Sequence, residues 1–226
     1  MKGLNKPFQK FWAQDKSLTI LFFILIIQIF IVIPLGQHTV AGRIIFTVFY
    51  VFLLSAGLFL LVKNAAVRTV LIIVLAAFAV FTSDLFFTSG TIGILDNVVA
   101  IIFCVLLSWI VLLRTFSEGR INIHRIMGSI VVYLLIGFIF ATIYHTIYLI
   151  NGEVAFKGLS TYERKEFMYF SLTSLTTMGY GDLLPAVAGA RSMANLEALI
   201  GQLYPAILIA RLVSMEFESS KDAKGK

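Results

Sequence analysis

The chain has 226 residues, 59% of them hydrophobic and only 13% charged, with a mean hydropathy of +0.95. An average globular domain is about half apolar and a quarter charged, so a soluble enzyme is excluded and an integral membrane protein is implied. In such a protein the 18 Lys and Arg against 12 Asp and Glu, net +6, pose the question of which loops are cytoplasmic and give no sign of nucleic-acid binding. The single cysteine, Cys104, lies in an apolar run and leaves no intrachain disulfide or cysteine cluster for a metal.

Crossing a hydrocarbon layer of ~30 Å takes ~20 helical residues at ~1.5 Å each. Apolar runs of about that length occur at 18–35, 42–62, 69–88, 95–113, 126–150 and 189–213. The pattern predicts an all-α membrane protein of six transmembrane helices. The first run follows Lys2, Lys6, Lys10 and Lys16, yet it is longer than a signal-peptide core and has no small-x-small cleavage site, so it is expected to stay as an anchor. Sorted by alternate loops, 13 of the 18 basic residues fall on one side and 5 on the other, which predicts cytoplasmic N and C termini.

Within the first four runs Asp84 and Asp96 stand at outer ends, where solvation is the expected state and binding of a cation or proton the other reading. From Asp96 to Leu113, a stretch that includes Cys104 and Trp109, there is no arginine. A voltage sensor needs several, since each unit charge gains only ~2.3 kcal/mol per 100 mV. The linker Arg114 to Arg125 is basic and partly apolar: it reads as a positive-inside anchor or as a segment lying on anionic lipid. On the fifth run, Tyr144, His145 and Tyr148 read as an outer-interface aromatic belt.

Residues 151–188 contain Ser160-Thr161-Tyr162-Glu163, a capping box that starts a helix near Thr161. That helix continues to Thr176 and is too short to span. Thr177-Met178-Gly179-Tyr180-Gly181-Asp182 cannot extend it comfortably, because glycines at alternate positions favour positive φ. Non-helical backbone at membrane depth is tolerated only when buried in protein or facing water, so a re-entrant helix followed by this segment implies a pore lining. Carbonyls of Thr177, Met178, Gly179 and Tyr180 turned to one axis would replace the hydration shell of a cation, with the Thr177 hydroxyl as the innermost ring. One segment per chain cannot surround an ion, which predicts a cyclic homotetramer.

Thr-Met-Gly-Tyr-Gly-Asp after Ser-Leu-Thr-Ser-Leu-Thr, flanked by two spans, resembles the pore loop of potassium channels. The detailed resemblance covers about 124–213. It implies a selectivity filter of Thr177, Met178, Gly179, Tyr180 and Gly181 that binds K+, supported by Asp182, Tyr169, Phe170, Thr173 and Thr176. Met178 stands where the family usually has Val or Ile, which brings a weakly selective cation channel into view. Tyr169-Phe170 takes the place of the aromatic pair that the family packs behind its filter tyrosine, here Tyr180. The C-terminal end of the short helix carries about half a negative charge and would favour a cation below the filter.

In the last run, Pro205 removes the amide that would bond the Gly201 carbonyl. Gly201 and Pro205 are therefore gate or hinge candidates, with a static kink as the other reading. Glu197, the one carboxylate deep in that run, either concentrates cations or senses protons near the filter, or is satisfied by hydroxyls such as Thr173 or Ser174. Asn195, Gln202 and Glu197 do not share one helical face and cannot all line a pore equally.

The chain accordingly divides into a cytoplasmic N-terminus (1–17), a four-helix region without voltage sensing (18–113), a cytoplasmic linker (114–125), a pore domain (126–213) and a cytoplasmic tail (214–226). The expected function is passive K+ conduction across a cell membrane, the inner membrane in a bacterium, by a homotetramer with membrane lipid, K+ and its own copies as partners. No cofactor is expected beyond the permeant K+, and no catalytic group set is seen. A weakly selective cation channel and a non-conducting sensor or assembly subunit are the alternatives.

Overall fold

The computed structural model describes residues 16–36, 90–116, 122–159 and 164–224. The runs expected at 42–62 and 69–88, with Asp84, lie outside the described residues, as do the capping box at 160–163 and residues 117–121 of the 114–125 linker. In the described parts, α1 runs Lys16–Ile27 and continues through a π-helical turn, Gln28–Val32, into Ile33–Gly36. It is followed by α2, Gly90–Thr115, and α3, Ile123–Asn151. After a 3-10 turn at Gly152–Ala155 come β1, Phe156–Lys157, and the short α4, Arg164–Leu175. The chain ends in β2, Leu184–Pro185, and the long α5, Ala188–Lys224. Three helical stretches, Gly93–Leu113, Ile123–Ala155 and Ala188–Ser214, are long and apolar enough to cross a membrane; Leu18–Val32 is a shorter apolar helix. The chain is an all-α, multi-pass membrane protein with a two-residue ladder that hydropathy does not announce.

Local chemistry sets the ends of α3. Asn122 has extended backbone and its side chain accepts from the Arg125 amide at 3.0 Å, satisfying one of the donors a helix start leaves free. At the other end Gly152 takes φ 69° with ψ −155°, a conformation open mainly to glycine, and its amide bonds the Tyr148 carbonyl. No proline or glycine interrupts the chain between Pro205 and Gly225, and α5 runs on past Val213 to Lys224, beyond the expected end of its apolar run.

Two apolar clusters organise the packing. One joins α1, α2 and α3 through Leu21, Leu25, Leu107, Val111, Val131 and Leu135. The other joins α3, α4, α5 and the ladder, with Phe140, Tyr144, Phe156, Phe167 and Phe170 at its centre. Here Tyr144 meets Phe170 edge to face at 4.8 Å and Phe156 at 5.9 Å. Lipid tails are as apolar as these side chains, so what favours the association is close van der Waals fit and aromatic geometry, not escape from water. At the opposite end α1 is tied to α3 by the Thr19 hydroxyl and His124 Nδ1, 2.7 Å apart.

Candidate functional site

The ladder pairs Phe156 with Pro185 and Lys157 with Leu184, antiparallel, while the Ala186 amide bonds the Ala155 carbonyl at 2.8 Å. The excursion between α3 and α5 therefore begins and ends at one level. Its helix, α4, is 12 residues long, ~18 Å at helical rise, too short for a bilayer. The far end of α4 meets the midpoints of both long helices. Ser171 Oγ donates to the Gly137 carbonyl at 2.6 Å, Tyr133 Oη donates to the Leu175 carbonyl at 3.1 Å, and Gly201 lies so close that a Cβ there would overlap the Leu175 carbonyl. Gly201, expected as a hinge, is thus first of all the point where α5 can touch the end of α4; Pro205 lies inside α5, and the helix continues through it.

The exit from α4 is a Schellman turn. The Thr177 amide bonds Ser174 O at 3.0 Å and the Met178 amide bonds Thr173 O at 2.8 Å, with Thr177 at φ 57°. A β-branched residue in this left-handed position, normally glycine's, stores strain of about 1–3 kcal/mol. Beyond it Gly179 is at φ 51° and Gly181 at φ 79°, whereas Met178 and Tyr180 keep negative φ. From 177 to 181 the sign of φ alternates residue by residue.

The segment stands open within one chain, Met178 being 57% and Tyr180 66% exposed. Tyr169 and Tyr180 stack with rings parallel and centroids 6.3 Å apart, and Tyr169 Oη donates to Asp182 Oδ2 at 2.7 Å. Asp182 Oδ1 also accepts from the Leu183 amide at 3.0 Å. The Tyr169 hydrogen bond holds the Asp182 carboxyl below the usual carboxylate range, and the same bond pushes the Tyr169 phenol up to about 12. Across the gap Gly158, at φ 88°, lies where a Cβ would overlap the Asp182 carbonyl. Of the aromatic pair only Tyr169 lies on Tyr180; Phe170, the next residue round the helix, is buried against Tyr144 and Phe156. Thr173 and Thr176 turn their hydroxyls back onto Phe170 O and Leu172 O, and Thr173 acts on the segment through its carbonyl, which also receives the Gly179 amide.

Glu197 is completely buried. The expected hydroxyls, Thr173 and Ser174, do not reach it. Its partners are Tyr144 Oη, 2.6 Å from Oε2, and Ser171 Oγ, 2.5 Å from Oε1. The reason is rotational: the α4 face toward α5 carries Ser171 and Leu175, four residues apart, and the intervening hydroxyls point elsewhere. Asn195 and Gln202 are exposed on α5.

Two expectations, at the start of α2 and toward the end of α3, are corrected. Asp96 is buried and paired with Arg164 of α4 at 3.0 Å, not left to solvent. Tyr144 and His145 are buried rather than set in an interfacial belt. The Asn97 amide lies 2.9 Å from His145 Nδ1 and donates to Thr146 Oγ1 at 2.9 Å, and the His145 ring rests against Phe167 at 5.6 Å. The end of α2 packs on α3 and α4, and polar groups so covered need partners. Depth along each run was legible in advance; which neighbour would arrive there was not.

Residues 130–218 match the family model described as ion channel, a description that is not of an enzyme. The match takes in most of α3, all of α4, the 177–182 segment and α5 to Glu218. Two-pore potassium channel 1 of Arabidopsis thaliana is 28% identical over 96 residues, which are 42% of this chain and 24% of that protein. The chain thus spans about a quarter of the length of this relative. No solved structure matches.

Proposed function

We propose that the chain is a potassium-selective channel subunit whose residues 177–181 form the filter of a homotetramer, conducting K+ passively across a cell membrane. The alternation of φ at Thr177, Gly179 and Gly181 carries the reading. In an ordinary strand successive carbonyls face opposite sides; alternating left- and right-handed residues turn successive peptide dipoles the same way. Such a segment offers a column of carbonyl oxygens to a desolvated cation. A short helix that ends at the mid-depth of two long ones, with its negative end beside this column, supports the same reading. So do the ion channel match and the name of the plant relative.

A single column cannot enclose an ion, and closure by rotation requires further copies. The apolar exposure of α5 at Leu196, Leu199, Leu203 and Ile207, together with the open filter, suits neighbours of the same chain. In this arrangement six helices surround or line the pore with both termini cytoplasmic, α5 carries the gate around Gly201 and Pro205, and Asp182 draws cations to the outer mouth. Lipid and K+ are the remaining partners.

The test is a bi-ionic reversal potential from purified protein in planar bilayers, repeated with Gly179→Ala. The wild type is expected to follow the K+ gradient, and the mutant to lose K+ permeation because an L side chain at φ 51° is strained. Unchanged permeation in the mutant would undo the site assignment. Met178 favours one second reading, a weakly selective cation channel, which a reversal potential indifferent to K+ against Na+ would establish. Absence of any flux from K+-loaded liposomes would instead favour a non-conducting sensor or assembly subunit.

A further inference from the structure

Along α4, three helices are pinned in two rungs. In the upper rung Ser171 of α4 lies between the Gly137 carbonyl of α3 and Glu197 of α5, and Tyr144 of α3 closes on the other carboxyl oxygen. In the lower rung Leu175 lies between Tyr133 and Gly201. Each helix supplies the rungs from positions four residues apart: 133 and 137, 171 and 175, 197 and 201.

The upper rung can be counted in protons. Five oxygens stand in a row: Tyr144 Oη, Glu197 Oε2, Glu197 Oε1, Ser171 Oγ and Gly137 O. Outside the carboxyl group they are separated by three gaps of 2.6, 2.5 and 2.6 Å. Oxygens this close repel unless a hydrogen lies between them. Three gaps need three protons. Tyr144 and Ser171 bring one each, and the Gly137 carbonyl can only accept. The third must come from Glu197. Among the described residues no basic side chain pairs with Glu197 to balance a charge there.

We infer that Glu197 is a neutral carboxylic acid, donating through Ser171 to the α3 backbone and accepting from Tyr144, and that it is a positioning residue that sets the depth of α4, and with it the filter, relative to α3 and α5. The role in the filter rests on the channel reading above; the proton assignment does not. Glu197 is not a cation-concentrating charge of the conduction path. Its direct link to α4 is Ser171, six residues before Thr177, with Tyr144 packed on the neighbouring Phe170.

A glutamine would reproduce the pattern, its NH2 donating to Ser171 Oγ and its carbonyl accepting from Tyr144. Glu197→Gln is therefore expected to keep wild-type flux and reversal potential in liposomes and bilayers. Glu197→Ala, which strands both hydroxyls, and Glu197→Asp, too short to span both partners, are expected to lower K+ flux about tenfold. Infrared spectra of the purified protein at neutral pH should contain a protonated-carboxyl stretch that vanishes in Glu197→Gln and shifts in Tyr144→Phe and in Ser171→Ala. Lack of a band sensitive to Glu197→Gln, or a loss of flux in that variant as deep as in Glu197→Ala, overturns the inference. A Glu197 band in protein that passes no K+ overturns the channel reading and leaves the proton assignment standing; flux without the band does the reverse.

Discussion

Asp182 and Tyr169 form the most exposed polar pair of the site, and their coupling has a sign that can be tested. The folded Asp182 carboxyl titrates below its ordinary range, chiefly because Tyr169 donates to it. A carboxyl depressed in this way contributes stability above its unfolded titration range and loses it as pH falls through the folded value. Tyr169, pushed up to about 12, remains a donor throughout. Tyr169→Phe should therefore move the loss of the Asp182 charge to higher pH. Single-channel conductance against external pH is the measurement: the acid-side midpoint rises in the mutant, and an unmoved midpoint means that the hydroxyl does not hold the carboxylate. The break from helix at 177–182 was legible beforehand because glycine spacing acts on the backbone and follows the chain. The partners of Glu197 were not, since which hydroxyl of α4 faces α5 depends on how one helix is turned against another.

Among the helices, α5 makes the closest approach. A methyl at Gly201 would fall on the Leu175 carbonyl, a backbone atom with no freedom to rotate away, whereas Gly189 on the same helix faces open space. Gly201→Ala is expected to destabilise the protein by about 1–3 kcal/mol. Gly189→Ala should be neutral or slightly stabilising, since alanine is the better helix former. Thermal unfolding in detergent separates the two, and equal melting temperatures would contradict the packing. This contact also bears on the proline bend: α5 is held at Gly201 by α4, so movement at Pro205 would carry the part that follows and leave the part before Gly201 in place. On α2, Leu95, Val98, Ile102, Val105 and Trp109 form an exposed stripe while Cys104, Leu107 and Val111 are buried. The buried face also carries Asp96, Asn97 and Ser108 while the exposed stripe is wholly apolar, so hydropathy marks α2 as a span and its polar residues mark the side that meets protein.

In the molecule as a whole, α2 holds no series of basic residues that could serve as gating charges. Asp96 of α2 is paired with Arg164, and the next charge along the helix is Arg114, in its last turn. Conductance should vary only weakly with voltage, and a steep relation worth several charges per assembly would refute this. The same Asp96–Arg164 pair ties α2 to the first residue of α4, while Asn97 and His145 tie it to α3.

Length, hydropathy and one six-residue motif were enough to assign a membrane protein, the order of the spans found in the described residues, and the place where the short helix α4 breaks, because each of these is a property of consecutive residues. Arrangement across the chain was decided only by tertiary packing: Ser171 rather than Thr173 or Ser174 on Glu197, Phe170 turned away from the filter, Gly201 pressed on Leu175, Asp96 on Arg164. Period and composition set which residues share a helix and how deep they sit. They do not set the rotation and offset of one helix against the next, and every one of those contacts depends on just those two quantities.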